Sequence, residues 1–311
     1  MVLTSGLKGV IPIAPTPFHE DGRVDEASLD RMTDFFLECG VDGLTILGQL
    51  GEAPKLDHNE STVIAGRIIR RASVPIIVGV SAPGFAAMRS LARQVMELGA
   101  AGVMIAPPNT LRTDDQIVTY YRQAAEAVGS DVPFVLQDYP LRFSVVMSPA
   151  VIRRIMAENP SCVMLKHEDW PGLEKITALR AFERDGSMRH IAILTGNGGL
   201  FLDFEMGRGA DGANTGYAFP EMLVDVVKLS AAGRRDEAHD LFDAHLLYLR
   251  YEQQQGPLGL AVRKYVLKRR GVLASDAQRK PALSLSSQAK EETDYLLSRI
   301  ARVDKRAVLT R

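Results

Sequence analysis

The sequence is poor in cysteine and tryptophan, carries no excess charge of either sign, and contains no long apolar run. Its two cysteines, Cys39 and Cys162, sit in ordinary flanks ("LECGVDG" and "SCVML"), with no CxxC pair and no Cys/His cluster. That excludes a disulfide scaffold and a structural zinc site, and it fits a cytoplasmic chain with reduced thiols. A net charge of −1 supplies no basic field for nucleic acid or an anionic membrane, so neither is an expected partner. No segment reaches the roughly 20 apolar residues of a membrane span. The opening "MVLTSGLKGVIPIAP" has too short an apolar stretch for a signal peptide. Two nucleotide signatures are missing as well. The first strand runs into "PTPF" rather than GxGxxG, and the glycines of "GQLGE" are not followed by GK[ST].

What is present is a repeat. With 311 residues, 46% of them hydrophobic, the chain can fill one large core. Short β-rich runs alternate with longer amphipathic segments. The runs are "GVIPIA" (9–14), "GLTIL" (43–47), "PIIVGV" (75–80), "GVMIAP" (102–107), "PFVLQ" (133–137), "CVMLK" (162–166), "HIAILTG" (190–196) and "DGANTG" (211–216). The last is weak by propensity and is assigned from its place in the repeat. Between them, Asp25 can cap a helix whose Leu29, Met32, Phe35 and Phe36 share a face. Met88, Leu91, Ala92 and Val95 recur at helical spacing, and Ser148-Pro149 opens a third helix. Eight βα units with near-continuous apolar strands predict an α/β fold of the (β/α)8 TIM-barrel type over residues 1–232. After residue 232 the strand signals stop. Residues 233–253, 258–271 and 286–302 read as three helices, so 233–311 is expected as a C-terminal helical extension packed on the barrel.

In such a barrel the chemistry sits where strand C-termini open into loops. "VMLKHEDW" (163–170) places Lys166 there, at the end of the sixth strand. Two readings of this lysine compete: an ammonium snorkelling to solvent, or a desolvated amine able to attack a ketone and form a Schiff base. Its neighbours His167, Glu168 and Asp169 are positioned for proton transfer or for capping the next helix. The glycines of "GQLGE" suit a loop whose backbone N–H groups grip a small carboxylate, with Arg142 supplying charge. The basic run "RKYVLKRR" (263–270) reads as a helix end with a solvated face. Trp170 and the "YEQQQ" stretch read as packing residues.

Several of these features together resemble the dihydrodipicolinate synthase/N-acetylneuraminate lyase family over roughly residues 7 to 300. They are "GVIPIAPTPFHEDGRVDEASL", the GxxGE loop at Gly48–Glu52, Pro140-x-Arg142, Lys166 at the sixth strand end, and the helical C-terminus. The resemblance implies a barrel whose Schiff-base lysine, here Lys166, condenses with, cleaves or dehydrates 2-oxo acids. It implies no cofactor, no metal, a small-molecule 2-oxo acid as partner, and a homo-oligomer, dimer or tetramer. By the same resemblance Gly48, Gln49, Leu50, Gly51, Arg142 and Asn214 bind substrate.

The chain departs from the family's synthases at the proton relay. They carry GTTGE, where this chain has Gly48-Gln49-Leu50-Gly51-Glu52. They carry tyrosine three residues before the fifth-strand proline, where this chain has Gln137. The tyrosine that crosses a dimer interface is matched by Asn109 or by nothing alignable. Tyr139 shares a strand face with Gln137, its hydroxyl about 7 Å further on, and is a partial substitute. The "QD-x-P" pattern resembles a branch that includes 2-keto-3-deoxyarabonate dehydratases, as do the Glu252 to Gly256 stretch and the Lys264 to Gly271 helix. The leading expectation is a Schiff-base lyase, a dehydratase or aldolase of a 2-keto-3-deoxy sugar acid, with Lys166, Glu168, Tyr139 and Gln137 catalytic. The alternatives are a dihydrodipicolinate synthase with an altered relay and a non-catalytic 2-oxo-acid-binding protein.

Overall fold

Strand and helix alternate in chain order through the first two-thirds of the protein, in a computed structural model that describes residues 1–254 and 257–309. The strands are β1 (Gly9–Val10), β2 (Leu44–Ile46), β3 (Ile76–Gly79), β4 (Gly102–Ile105), β5 (Phe134–Asp138), β6 (Cys162–His167), β7 (Ala192–Thr195) and β8 (Gly212–Ala213). Every neighbouring pair is parallel, in the order β1-β8-β7-β6-β5-β4-β3-β2. The ring closes between the ends of that order. Ile13 pairs in parallel with Thr45, and Thr45 donates its N–H to Pro12 O at 2.9 Å. The sheet is therefore a closed (β/α)8 barrel with no free edge.

Six of the eight strands come out shorter than expected, and the first and last shrink to two residues each. The first was expected over 9–14 but stops at Val10, because Pro12 has no N–H to give the ladder. The last was expected over 211–216 and is only Gly212–Ala213.

The helices of the barrel are α1 (Glu26–Glu38), α2 (His58–Arg71), α3 (Phe85–Glu97), α4 (Asp114–Val128), the single turn α5 (Pro140–Phe143), α6 (Pro149–Glu158), α7 (Leu173–Arg184), α8 (Leu202–Gly207) and α9 (Pro220–Ala231). The caps fall where the sequence places them. Asp25 accepts the Ser28 N–H at 3.0 Å, and Ser148 accepts that of Val151 at 3.3 Å. Leu29, Met32 and Phe36 of α1 are buried, with Phe35 at the edge of the same core. Three further helices, α10 (Arg235–Glu252), α11 (Pro257–Arg269) and α12 (Ser287–Ile300), follow the barrel, and among the described residues no strand follows β8. Gly256, at the end of the Glu252 to Gly256 stretch, lies outside the described residues.

The period of two along each strand divides the core. Ile77, Met104, Val135, Met164 and Leu194 fill the barrel interior. Val78, Ile105, Phe134, Leu136 and Leu165 face outward beneath the helices. This alternation fixes which strand-end side chains can reach the barrel mouth. One expectation is overturned in the extension. Arg263 and Lys264 of the basic run are not on a solvated face but buried, paired with Glu252 at 2.7 Å and Glu52 at 2.6 Å. A charge is tolerated at such depth only with a partner.

The seam between β1 and β8 depends on glycine. Gly212 has φ +147°, and a Cβ there would lie 1.8 Å from Gly9 O. Gly212→Ala should therefore open the seam and destabilise the fold by at least about 2 kcal/mol. Gly22→Ala, also at positive φ but with nothing within 4 Å, meets only the backbone penalty and should cost about 1–2 kcal/mol, less than Gly212→Ala. Urea denaturation of both variants measures the difference, and equal losses would refute the assignment of the seam.

Candidate active site

Lys166 is two residues beyond Met164 on β6 and so shares its inward face. It is only 4% exposed, which removes the solvent-snorkelling reading. Its Nζ lies 2.8 Å from Glu168 Oε2. Gln137, level with Lys166 on β5, donates from Nε2 to the same oxygen at 2.6 Å. One carboxylate oxygen thus receives both an ammonium and an amide, all three side chains being buried. Glu168 lies just past the strand but is held as if still in it. Its N–H donates to Asp138 O at 2.8 Å, and its O accepts from Asn197 Nδ2 at 2.8 Å. Across from it, a Cβ at Gly196 would fall 2.2 Å from Glu168 Cγ, so only glycine leaves room for this carboxylate.

His167 points the other way. It lies on the outer face of β6, where Nε2 meets Gly172 O at 3.1 Å, so it is no candidate for the proton relay. Asp169 pairs with Lys175 at 2.6 Å and accepts the Trp170 N–H.

Above Lys166 and Glu168 opens a cleft of about 450 Å³. Gly48, Gln49 and Leu50 form part of its wall, with Tyr139 and Arg142 across from them. Among the described residues, no acceptor meets the backbone N–H groups of Gly48, Gln49 or Leu50. Gly51 lies behind the loop, where its O accepts from Thr16 Oγ1 at 2.6 Å. Arg142 is exposed at the rim and donates from Nη2 to Gln49 Oε1 at 3.2 Å. Tyr139 is half-buried, its ring edge-on to Phe143. Asn214 is not on the cleft wall. It is fully buried on the inward side just past β8, with neither amide atom of its side chain partnered. Asn109 lies outside the cleft too, in the turn before α4, where its O accepts from Arg112 at 2.6 Å.

Among the lining residues that were not anticipated are Asn197, Thr215 and Gln253. Asn197 and Thr215 follow β7 and β8, and their place at the C-terminal ends of barrel strands is the signal that could have found them. Gln253, expected as packing, reaches the cleft from the end of α10, and nothing in its local sequence announces this. Among the described residues, no group of three His, Cys, Asp or Glu side chains is placed to hold a metal ion.

Behind the site lies a second polar layer. Lys175 donates to Asp138 Oδ2 at 2.8 Å, and His167 Nδ1 is 3.8 Å from that oxygen. Glu205 of α8 is buried near His167 and Thr195. Burial pushes its carboxyl up to about 7, against the opposing pull of His167 and a hydrogen bond with Thr195.

Residues 6–300 match the model of the dihydrodipicolinate synthetase family. The chain belongs to this family. It is 30% identical over 293 residues to an L-2-keto-3-deoxyarabonate dehydratase of Azospirillum brasilense, covering 92% of each chain. It is also 30% identical over 298 residues to a 4-hydroxy-tetrahydrodipicolinate synthase of Chlorobium luteolum, covering 94% of this chain and 96% of the relative. Among solved structures, the dihydrodipicolinate synthase of Rhodopseudomonas palustris is 68% identical with a TM-score of 0.95, covering 96% of this chain and 99% of that one. The dihydrodipicolinate synthetase family comprises lyases acting on small 2-oxo acids such as pyruvate. No described helix is long and apolar enough to cross a membrane.

Glu205 yields a pH prediction. Its folded pKa of about 7 lies above the ordinary 4.5, so the folded state holds this proton more tightly than the unfolded chain. Stability from this group is full below the ordinary value and falls as pH rises towards 7. Glu205→Gln should match the parent near pH 4.5 and exceed it at pH 8 by on the order of 2–3 kcal/mol. Denaturant titrations at the two pH values measure this, and a variant no more stable at pH 8 would show that the proton is not held there.

Proposed function

We propose that the chain is a Schiff-base lyase that dehydrates a 2-keto-3-deoxy sugar acid or a closely related 2-oxo acid. The observation that carries this reading is the buried Glu168 carboxylate, bonded to both Lys166 and Gln137. Gln137 holds the sequence position at which a synthase of the resembling type carries its relay tyrosine, and Glu168 is the titratable group bonded to it. A carboxylate 2.8 Å from the amine can take its proton, freeing the lone pair for attack on the C2 ketone. The carbinolamine then loses water to give the imine. With the imine drawing electrons, Glu168 as carboxylate removes a C3 proton and leaves an enamine. Returned to the C4 hydroxyl, that proton lets it depart as water while the enamine electrons form the C3–C4 double bond. Hydrolysis of the imine releases the product and restores Lys166. The N–H groups of the Gly48–Gly51 loop, with Arg142 at the rim, receive the substrate carboxylate. Gln137 orients Glu168 by its amide and does not titrate near neutrality.

A second reading is a synthase condensing pyruvate with aspartate semialdehyde, favoured by the 68% identity to the Rhodopseudomonas palustris protein of that name. The two readings share Lys166 and differ at the relay. In the dehydratase, one carboxylate serves every proton transfer. In a synthase, Glu168 and Gln137 must replace three hydroxyl groups.

The test begins with borohydride trapping of pyruvate. Lys166→Ala should lose the adduct, and Lys166→Arg should lose it too, because guanidinium stays protonated. An adduct on another lysine would refute the assignment. Turnover of a panel of 2-keto-3-deoxy sugar acids should then exceed condensation by about a hundredfold or more, and Glu168→Gln should cut dehydration by about 10²–10⁴-fold. Efficient condensation would favour the synthase instead. Trapping without turnover of any substrate would identify a 2-oxo-acid-binding protein.

A further inference from the structure

We propose that Lys264 of α11 is a positioning residue for the substrate carboxylate, acting through Glu52 to fix the Gly48–Gly51 loop. The inference rests on the reading of the cleft above, in which that loop receives the carboxylate. Glu52 ends the loop at φ +55°, a left-handed conformation that disfavours a non-glycine residue and persists only where the surroundings hold it. What holds it is a set of three donors. Lys264 Nζ reaches Oε1 at 2.6 Å, while Lys55 Nζ at 2.8 Å and the Arg279 N–H at 3.1 Å reach Oε2.

Lys264 is the buried member of the set and comes from 212 residues away in sequence. It is itself fixed, donating also to Ala277 O at 2.9 Å and standing 4.7 Å over the Phe18 ring. It lines no part of the cleft, so any effect on substrate must pass through Glu52. Apart from the exposed Arg142 on Gln49 Oε1 at 3.2 Å, the loop's other pins are neutral: Thr16 Oγ1 on Gly51 O at 2.6 Å and the Ala53 N–H on Gly48 O at 3.3 Å. Among the described residues, Lys264 thus supplies the one fully buried charge that ties the loop to the C-terminal helices. Without it, Glu52 loses the partner of Oε1 and the loop can turn its N–H groups away from the cleft.

A purely structural staple would weaken the fold without discriminating between ligands. A positioning residue affects the carboxylate alone, and two ketones separate these cases: pyruvate, and hydroxyacetone, which lacks the carboxylate. The variants are Lys264→Met and the double variant Lys264→Met with Glu52→Gln. The double variant cuts the tie without leaving a buried unpaired charge, which guards against misfolding. Hydrogen–deuterium exchange at residues 48–52 of the unliganded full chain should accelerate about tenfold or more in both variants. The pyruvate concentration for half-maximal borohydride trapping should rise about tenfold or more, with that for hydroxyacetone unchanged. Unchanged exchange, or an equal loss with both ketones, would overturn the proposal. A parent chain that traps neither ketone would refute the Schiff-base reading by itself, and the exchange comparison would still decide whether Lys264 holds the loop.

Discussion

The ion pair between Lys166 and Glu168 is the constraint around which the barrel mouth is built. Taking two charges out of water costs several kcal/mol per ion, and their attraction repays this only with close geometry and further hydrogen bonds. The chain meets both conditions. Nζ and Oε2 are 2.8 Å apart, Gln137 shares that oxygen, and the backbone of Glu168 is tied to Asp138 and Asn197. Such a pair contributes little net stability. What it provides is an amine and a carboxylate held at a fixed spacing at the floor of the cleft.

That geometry imposes requirements on its neighbours. Glu168 fits only because position 196 has no side chain. The strand alternation that turns Lys166 inward turns Asp138 and His167 outward, where Lys175 and the buried Glu205 meet them. The strands under the site therefore carry polar side chains on both faces. The inner layer faces the cleft and the outer layer is sealed beneath α7 and α8.

The C-terminal helices enter the same logic from outside the barrel. Adjacent residues Arg263 and Lys264 carry two buried charges to two buried carboxylates, Glu252 and Glu52. Gln253 reaches the cleft from the same quarter. The extension is thus part of the cleft's architecture, and the loop opposite Arg142 is shaped from both ends of the chain.

Much of this was legible in the residues. The apolar runs and the amphipathic segments between them determined eight βα units, because a parallel strand buried on both faces must be continuously apolar. The place of Lys166 at a strand end followed from that repeat, and the caps at Asp25 and Ser148 followed from local hydrogen bonding. The short reach of β1 was also implicit, since Pro12 cannot donate. What the residues left open was direction and distance. Period two shows that Lys166 and Glu168 share a face opposite to His167, yet only the closed barrel decides which face is inside. Gln137 meets Glu168 across 31 positions, and Lys264 meets Glu52 across 212. No local pattern encodes such pairings, because a buried charge selects its partner by proximity in the folded state. The sequence by itself therefore determined the barrel and the strand-end place of Lys166. The tertiary structure alone decided which carboxylate pairs with that lysine and which distant cation pairs with Glu52 at the end of the loop, since both depend on burial that exists only once the ring has closed.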